Sequence, residues 1–324
     1  MSTKEEKSAT SLPTGWRLAV QLLGFIVGAL FLAWLIRDAI RGDGWDEIFD
    51  RATPGVLAGL LGCSLLSLFI NGAIFWVQLR PVKKESFFVL QGVNCTASLL
   101  NYAPIRLGIV SRYVYHMRVD RMSFLFITSW IFAIAVTLLF VMGSATLASM
   151  LHPNIDIWWF LITAVPLVLV ICLLPLLLNV SIIHKFAKGS ERMLCDRTTL
   201  TLSLLLRCLD LGAWAGRIWF ATHIVDTGLT GGDVLLLAVV AVLVSLNPLG
   251  RLGYREAAVR WLAPVLAAGA FTGDEIGARF AQLALIESGS EALVVLPFGI
   301  LSAFWWMARV RRGYTGEDPP NDSD

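Results

Sequence analysis

Charge is scarce in this sequence. Asp, Glu, Lys and Arg make up 15% of the 324 residues, where a soluble domain carries about 25%. With 56% apolar residues, that shortfall excludes both a soluble enzyme and a disordered chain. Net charge is only +2, so no nucleic-acid partner is expected. Cysteine is sparse as well. Cys63, Cys95, Cys172, Cys195 and Cys208 lie in or beside apolar segments without a CxxC pair. That excludes a disulfide scaffold and reads as small apolar residues in helices. His116, His152, His184 and His223 are scattered, so no metal and no cofactor is expected. A Walker A pattern is missing too, which leaves no signal for ATP-driven work.

What is present is apolar sequence in long blocks, with a mean hydropathy of +0.71. A spanning helix needs about 20 apolar residues. Six segments fit in length: 16–36, 54–79, 123–150, 157–179, 198–225 and 280–307. Residues 1–15 are polar and read as a cytoplasmic tail before an uncleaved anchor rather than a signal peptide. Residues 16–312 form one polytopic domain, and 313–324 read as a disordered cytoplasmic tail.

Two further stretches are too short and too interrupted to be simple spans. The run 86–103 meets Pro104, Arg106 and Gly108, then a basic helix-like stretch to Arg121. The run 232–246 meets Asn247, Pro248, Gly250, Arg251 and Gly253, then a second apolar stretch to Phe271. Such breaks at membrane depth are tolerated where they are buried in protein or line a wet cavity. The expected fold is therefore an all-α integral membrane protein of about six full spans plus two re-entrant helical hairpins. The plainer alternative for 86–103 is an ordinary short span with the basic run outside it.

Lys and Arg set the orientation. With the N-terminus in the cytoplasm, the clusters at Lys4 and Lys7, at Arg80, Lys83 and Lys84, at Arg106–Arg121, at Lys185–Arg197 and at Arg309–Arg312 all fall inside. Both hairpins are needed for that result. The first turn reads Asn101, Pro104, Arg106, Leu107, Gly108; the second reads Asn247, Pro248, Gly250, Arg251, Leu252, Gly253. Each follows one span and precedes another, and the two halves, about 54–150 and 198–307, point opposite ways. Interrupted segments paired across inverted halves point to a midplane transport site. The first N–H groups of each returning helix favour an anion. Asn101, Arg106, Arg112, Asn247, Arg251, Arg255 and Glu256 are the candidate substrate-binding residues; the bland alternative for each Arg is snorkelling to the interface.

Charges inside spans are costly, by roughly 2.5–3.5 kcal/mol each on insertion scales. Arg207, Asp210 and Arg217 share one face of 198–225, within an arc of roughly 80°. Glu287 and Glu291 share a face of 280–307. The simplest arrangement pairs these acids with Arg207 or Arg217, or with the hairpin arginines. They then act either as a structural ion-pair network or as part of the transport path. Small residues (Gly24 and Gly28, Gly59 and Gly62, Gly212 and Gly216) are expected to allow close helix approach.

The stretch NYAPIRLGIVSRY, Asn101 to Tyr113, resembles the N–P–R–G–E–R stretch of the lysylphosphatidylglycerol synthetase transmembrane-region family. The stretch LGRLGYREAAV, Leu249 to Val259, looks like that family's second Gly-rich stretch ending in Glu. The resemblance runs loosely from residue 16 to 312. It implies a flippase-like membrane domain, with Asn101, Pro104, Arg106, Gly108, Arg112, Gly250, Gly253 and Glu256 at the family's motif positions. Two positions depart from it: Ile109 stands where the family has Glu, and Arg251 where it has Gly. With twelve polar residues following Arg312, no soluble aminoacyl-transferase domain is expected.

The leading expectation is a non-enzymatic transporter of an anionic lipid, phospholipid or polyprenyl-phosphate-linked, in a bacterial inner membrane with both termini cytoplasmic. Two alternatives stay open. One is a non-catalytic subunit supporting a membrane enzyme partner. The other is a polyprenyl-phosphate-dependent transferase, for which Glu256, Glu287 or Glu291 would be the base. Oligomeric state is not legible. A cysteine placed at Tyr102 tests the first hairpin: it should resist a membrane-impermeant thiol reagent added to intact cells. Labelling from outside would mean a full span there.

Overall fold

The computed structural model describes residues 14–42, 44–103, 107–152, 154–178, 191–247, 253–266 and 273–315. Among these, every regular element is an α-helix: α1 Thr14–Arg41, α2 Trp45–Arg51, α3 Pro54–Leu79, α4 Phe87–Leu100, α5 Leu107–Arg118, α6 Phe124–Leu151, α7 Ile157–Leu178, α8 Glu191–Cys195, α9 Arg197–Val225, α10 Gly231–Val244, α11 Tyr254–Leu266 and α12 Gly273–Thr315. Local chemistry sets several starts. Pro54 opens α3, where its missing N–H costs nothing. Ser123 caps α6 by accepting from Phe126 N. Asp196 caps α9 from the Thr199 N–H at 2.9 Å. Thr230 and Asp233 form a reciprocal capping box on α10.

Among the described residues, five helices are long and apolar enough to cross a membrane: Ala19–Arg41, Pro54–Leu79, Phe124–Leu151, Ile157–Leu178 and Ile276–Arg311. The sixth expected span, α9, has 29 residues, roughly 43 Å at ~1.5 Å per residue. It has the length without the uniform apolarity, because Arg207, Asp210 and Arg217 sit mid-helix. The exterior is apolar and the interior holds charge. Leu23, Leu30, Leu125 and Leu301 are each more than 60% exposed, while Arg217 is 1% exposed. That inside-out distribution suits an apolar solvent and marks a multi-pass membrane protein.

The short helices form two hairpins. α4 and α10 have 14 residues each, α5 has 12 and α11 has 13. None exceeds roughly 21 Å at ~1.5 Å per residue, short of a hydrocarbon core of about 30 Å. α4 packs on α5, and α10 packs on α11. The turn residues Pro104, Arg106, Pro248, Gly250 and Arg251 lie outside the described residues.

Relative directions come from paired residues. Gly59 meets the Phe220 ring, Cys63 meets Gly216, and Ser67 meets Asp210, so α3 and α9 run antiparallel. α4 and α12 are antiparallel as well, with Gly92 against Trp305 and Leu99 against Gly299. α1 and α11 run parallel: Tyr254 Oη donates to Gly24 O at 2.7 Å, and Arg260 Nε reaches Asp38 at 2.9 Å. The contact pattern repeats across the halves. The leading helices α3 and α9 form the broadest contact; α4 packs against the last helix of the other half, α12, and α10 likewise against α6. The halves are thus built alike and run in opposite directions.

The small residues behave unevenly. Gly59 and Gly216 do permit close approach, whereas a Cβ at Gly62 or Gly212 would meet nothing within 4 Å. Gly253 is constrained twice, by φ +82° and by the Gly28 backbone carbonyl, with which a Cβ would collide. Gly253→Ala is expected to cost about 1–3 kcal/mol through strain and collision, and Gly62→Ala less than about 0.5 kcal/mol. Thermal unfolding of the two purified variants in detergent checks both.

Candidate functional site

The antiparallel α3–α9 pair carries the first polar cluster. Ser64, Ser67 and Asn71 share one face of α3, at spacings of three and four. Opposite them on α9 lie Arg207 and Asp210, each 5% exposed. Asp210 accepts from Ser67 Oγ at 2.6 Å and from Asn71 Nδ2 at 3.1 and 3.2 Å. Arg207 Nη1 lies 3.4 Å from Asp210 Oδ2 and donates to Asn71 Oδ1 at 3.2 Å. Asn71 bridges the two charges.

The second cluster joins α9, α11 and α12. Arg217 pairs with Glu287, and its Nη1 lies 3.3 Å from Glu291. Arg255 reaches Glu291 at 2.5 Å, Glu256 at 3.2 Å and Glu287 at 3.3 Å. Glu256 also accepts from Ser288 Oγ at 2.6 Å and from the Gly253 N–H at 2.9 Å. The Trp214 ring faces both guanidinium groups, with centroid distances of 4.1 Å to Arg217 and 5.4 Å to Arg255. Every one of these charged groups is more than nine-tenths buried. Such groups persist out of water only when paired and hydrogen-bonded.

Beside the clusters lies a cavity of about 290 Å³, room for roughly ten water molecules at ~30 Å³ each. Its walls come from α3, α4, α5, α6, α9, α10 and α12, so both hairpins contribute. Arg112 of α5 is the distinctive cation. Its Nη2 donates to Asn94 Oδ1 at 2.6 Å, and its guanidinium lies 3.8 Å from the Phe75 ring centroid. Among the described residues no carboxylate lies within 4.0 Å of it, and Ile109, one turn earlier, also lines the cavity. A Glu at that position would sit beside Arg112; Ile leaves the charge open. The C-terminal ends of α4 and α10 also reach the cavity, at Asn101 and Ser245. Their dipoles oppose an anion by about 0.3–1 kcal/mol each. A charge-assisted hydrogen bond to a full guanidinium contributes about 1.5–3 kcal/mol, so Arg112 decides the sign.

Of the residues expected to bind substrate, Asn101 and Arg112 line the cavity. Arg255 and Glu256 instead sit in the ion network, because three acids on α11 and α12 surround that guanidinium. Asn247 follows α10, its N–H bonded to Val244 O, and is not in the wall. Arg106 and Arg251 fall outside the described residues. Arg207, Asp210, Arg217 and Glu291 line the cavity as well as pairing. Gly108 lies under the Asn101 side chain, where a Cβ would collide with Asn101 Oδ1 and Ala97 O. Sequence reasoning missed Ser64, Ser67, Asn71, Asn94 and Ser98. A periodic stripe of Ser and Asn on otherwise apolar α3 and α4 was the available signal.

No family model, curated protein or solved structure matches this chain.

Removing one partner of the second cluster strands a buried charge. Glu287→Ala is expected to cost about 3–5 kcal/mol, and Asn71→Ala about 1–3 kcal/mol. The comparison is read from thermal unfolding of detergent-purified protein; equal losses would show that the two clusters are not differently essential.

Proposed function

We propose that this chain is a membrane transporter that passes the head group of an anionic lipid between leaflets, while the acyl or prenyl chains stay in the bilayer. The observation that carries this reading is Arg112: a guanidinium in the wall of a cavity, with no carboxylate within 4.0 Å among the described residues. The surroundings support it. The cavity is walled by helices of two oppositely directed halves, as alternating access requires, and by hairpins too short to cross a bilayer. Its volume of about 290 Å³ has room for a polar head group. The Lys and Arg distribution favours cytoplasmic termini, and the resemblance of the two turn motifs to a flippase-like family supports the same reading. The reading is of transport without chemical change to the lipid, in a bacterial inner membrane.

The test is translocation in proteoliposomes with fluorescent phosphatidylglycerol and phosphatidic acid. The protein should raise the rate above empty vesicles. Arg112→Ala should lower it at least about tenfold, and Arg112→Lys less, because it keeps the charge and loses the planar fork. Arg260→Ala, which breaks the peripheral contact with Asp38, should stay near wild type. No translocation of any anionic lipid, with a stoichiometric membrane protein co-purifying, would replace this reading by that of an accessory subunit.

A further inference from the structure

We infer that the cavity selects a head group that is an uncharged polyol esterified to phosphate, such as glycerol or a sugar, and rejects head groups that carry an amine. This rests on the transport reading above and goes further, to the chemistry of what is carried.

The hydrogen-bond inventory of the wall carries the inference. An ammonium brings donors and a positive charge, so it needs a carboxylate with free capacity. Asp210 has none to spare: its two oxygens already accept from Ser67, twice from Asn71, and from Arg207. Glu291, the other acid in the wall, is bound by both Arg217 and Arg255. An entering amine would also face the positive charges of Arg112 and Arg207, and like charges at close range in a buried site repel.

A hydroxyl-bearing phosphate meets the opposite situation. Arg112 has five N–H donors, and among the described residues it commits only Nη2, to Asn94. The phosphate takes the rest. Arg207 lines the same cavity and places a second positive charge beside that of Arg112. Beside them, the Ser98 hydroxyl and the Asn101 amide line the cavity and hold no hydrogen bond to a described residue. Both can donate and accept, which matches a polyol hydroxyl in both directions, whereas for an ammonium they offer acceptors and no neutralising charge. Among the described residues the site thus has open donors for an anion, open two-way partners for hydroxyls, and no open carboxylate to neutralise a cation.

The experiment pairs lipids with their free head groups, on the full-length protein. Phosphatidylglycerol should cross reconstituted vesicles at least about tenfold faster than phosphatidylethanolamine. Calorimetry in detergent should show glycerol 3-phosphate binding at least about tenfold tighter than phosphoethanolamine and tighter than inorganic phosphate. Ser98→Ala should weaken glycerol 3-phosphate more than inorganic phosphate. Equal or preferred handling of the amine lipid and phosphoethanolamine would overturn this inference while leaving the transport reading intact. Uptake of free glycerol 3-phosphate into vesicles with no lipid movement would support the head-group chemistry and overturn lipid transport. Failure of inorganic phosphate and both esters to bind, with no lipid moved, would overturn both.

Discussion

The structure depends on keeping charge out of hydrocarbon. Arg217 and Arg255 are held against Glu256, Glu287 and Glu291 at the junction of α9, α11 and α12. Each of these groups would be expensive alone at membrane depth. Together they neutralise one another, and the Gly253 N–H, Ser288 and the Trp214 ring take up further capacity. The second hairpin is fixed in place by this contact, since α11 supplies Arg255 and Glu256 while α12 and α9 supply the partners. Apolar packing by itself gives helices in lipid little reason to choose one neighbour over another; the ion network supplies that choice.

The same logic explains why Arg112 stands apart. Where carboxylates are available they are consumed by the network or by the Asn71-bridged pair of Arg207 and Asp210. The first hairpin carries no acid near Arg112, because Ile109 occupies the adjacent turn. Asn94 and the Phe75 face steady the guanidinium without cancelling its charge. One half of the molecule therefore closes its charges into structure, and the other leaves one open to a cavity. The two halves share a contact pattern and differ in how their arginines are paired.

Much of this was legible in the residues themselves. Hydropathy marked the long helices, Pro and Gly marked the broken segments, and the shared face of Arg207, Asp210 and Arg217 showed that α9 must turn inward. The two like turns with opposite flanking directions showed that the halves oppose one another, which the antiparallel α3–α9 contact displays. Less legible was the division of labour among the arginines. Arg112 and Arg255 are both hairpin arginines, and their sequence neighbourhoods do not say which meets a cavity and which meets three acids.

The sequence by itself determined that the chain is helical, that it lives in an apolar solvent, and where its helices break, because those properties follow from local composition and backbone chemistry. The tertiary structure alone decided which charges cancel and which stays open. Pairing depends on side chains brought together across more than a hundred residues of chain, such as Ser67 with Asp210, and on cavity walls drawn from seven helices, and no local pattern encodes those distances.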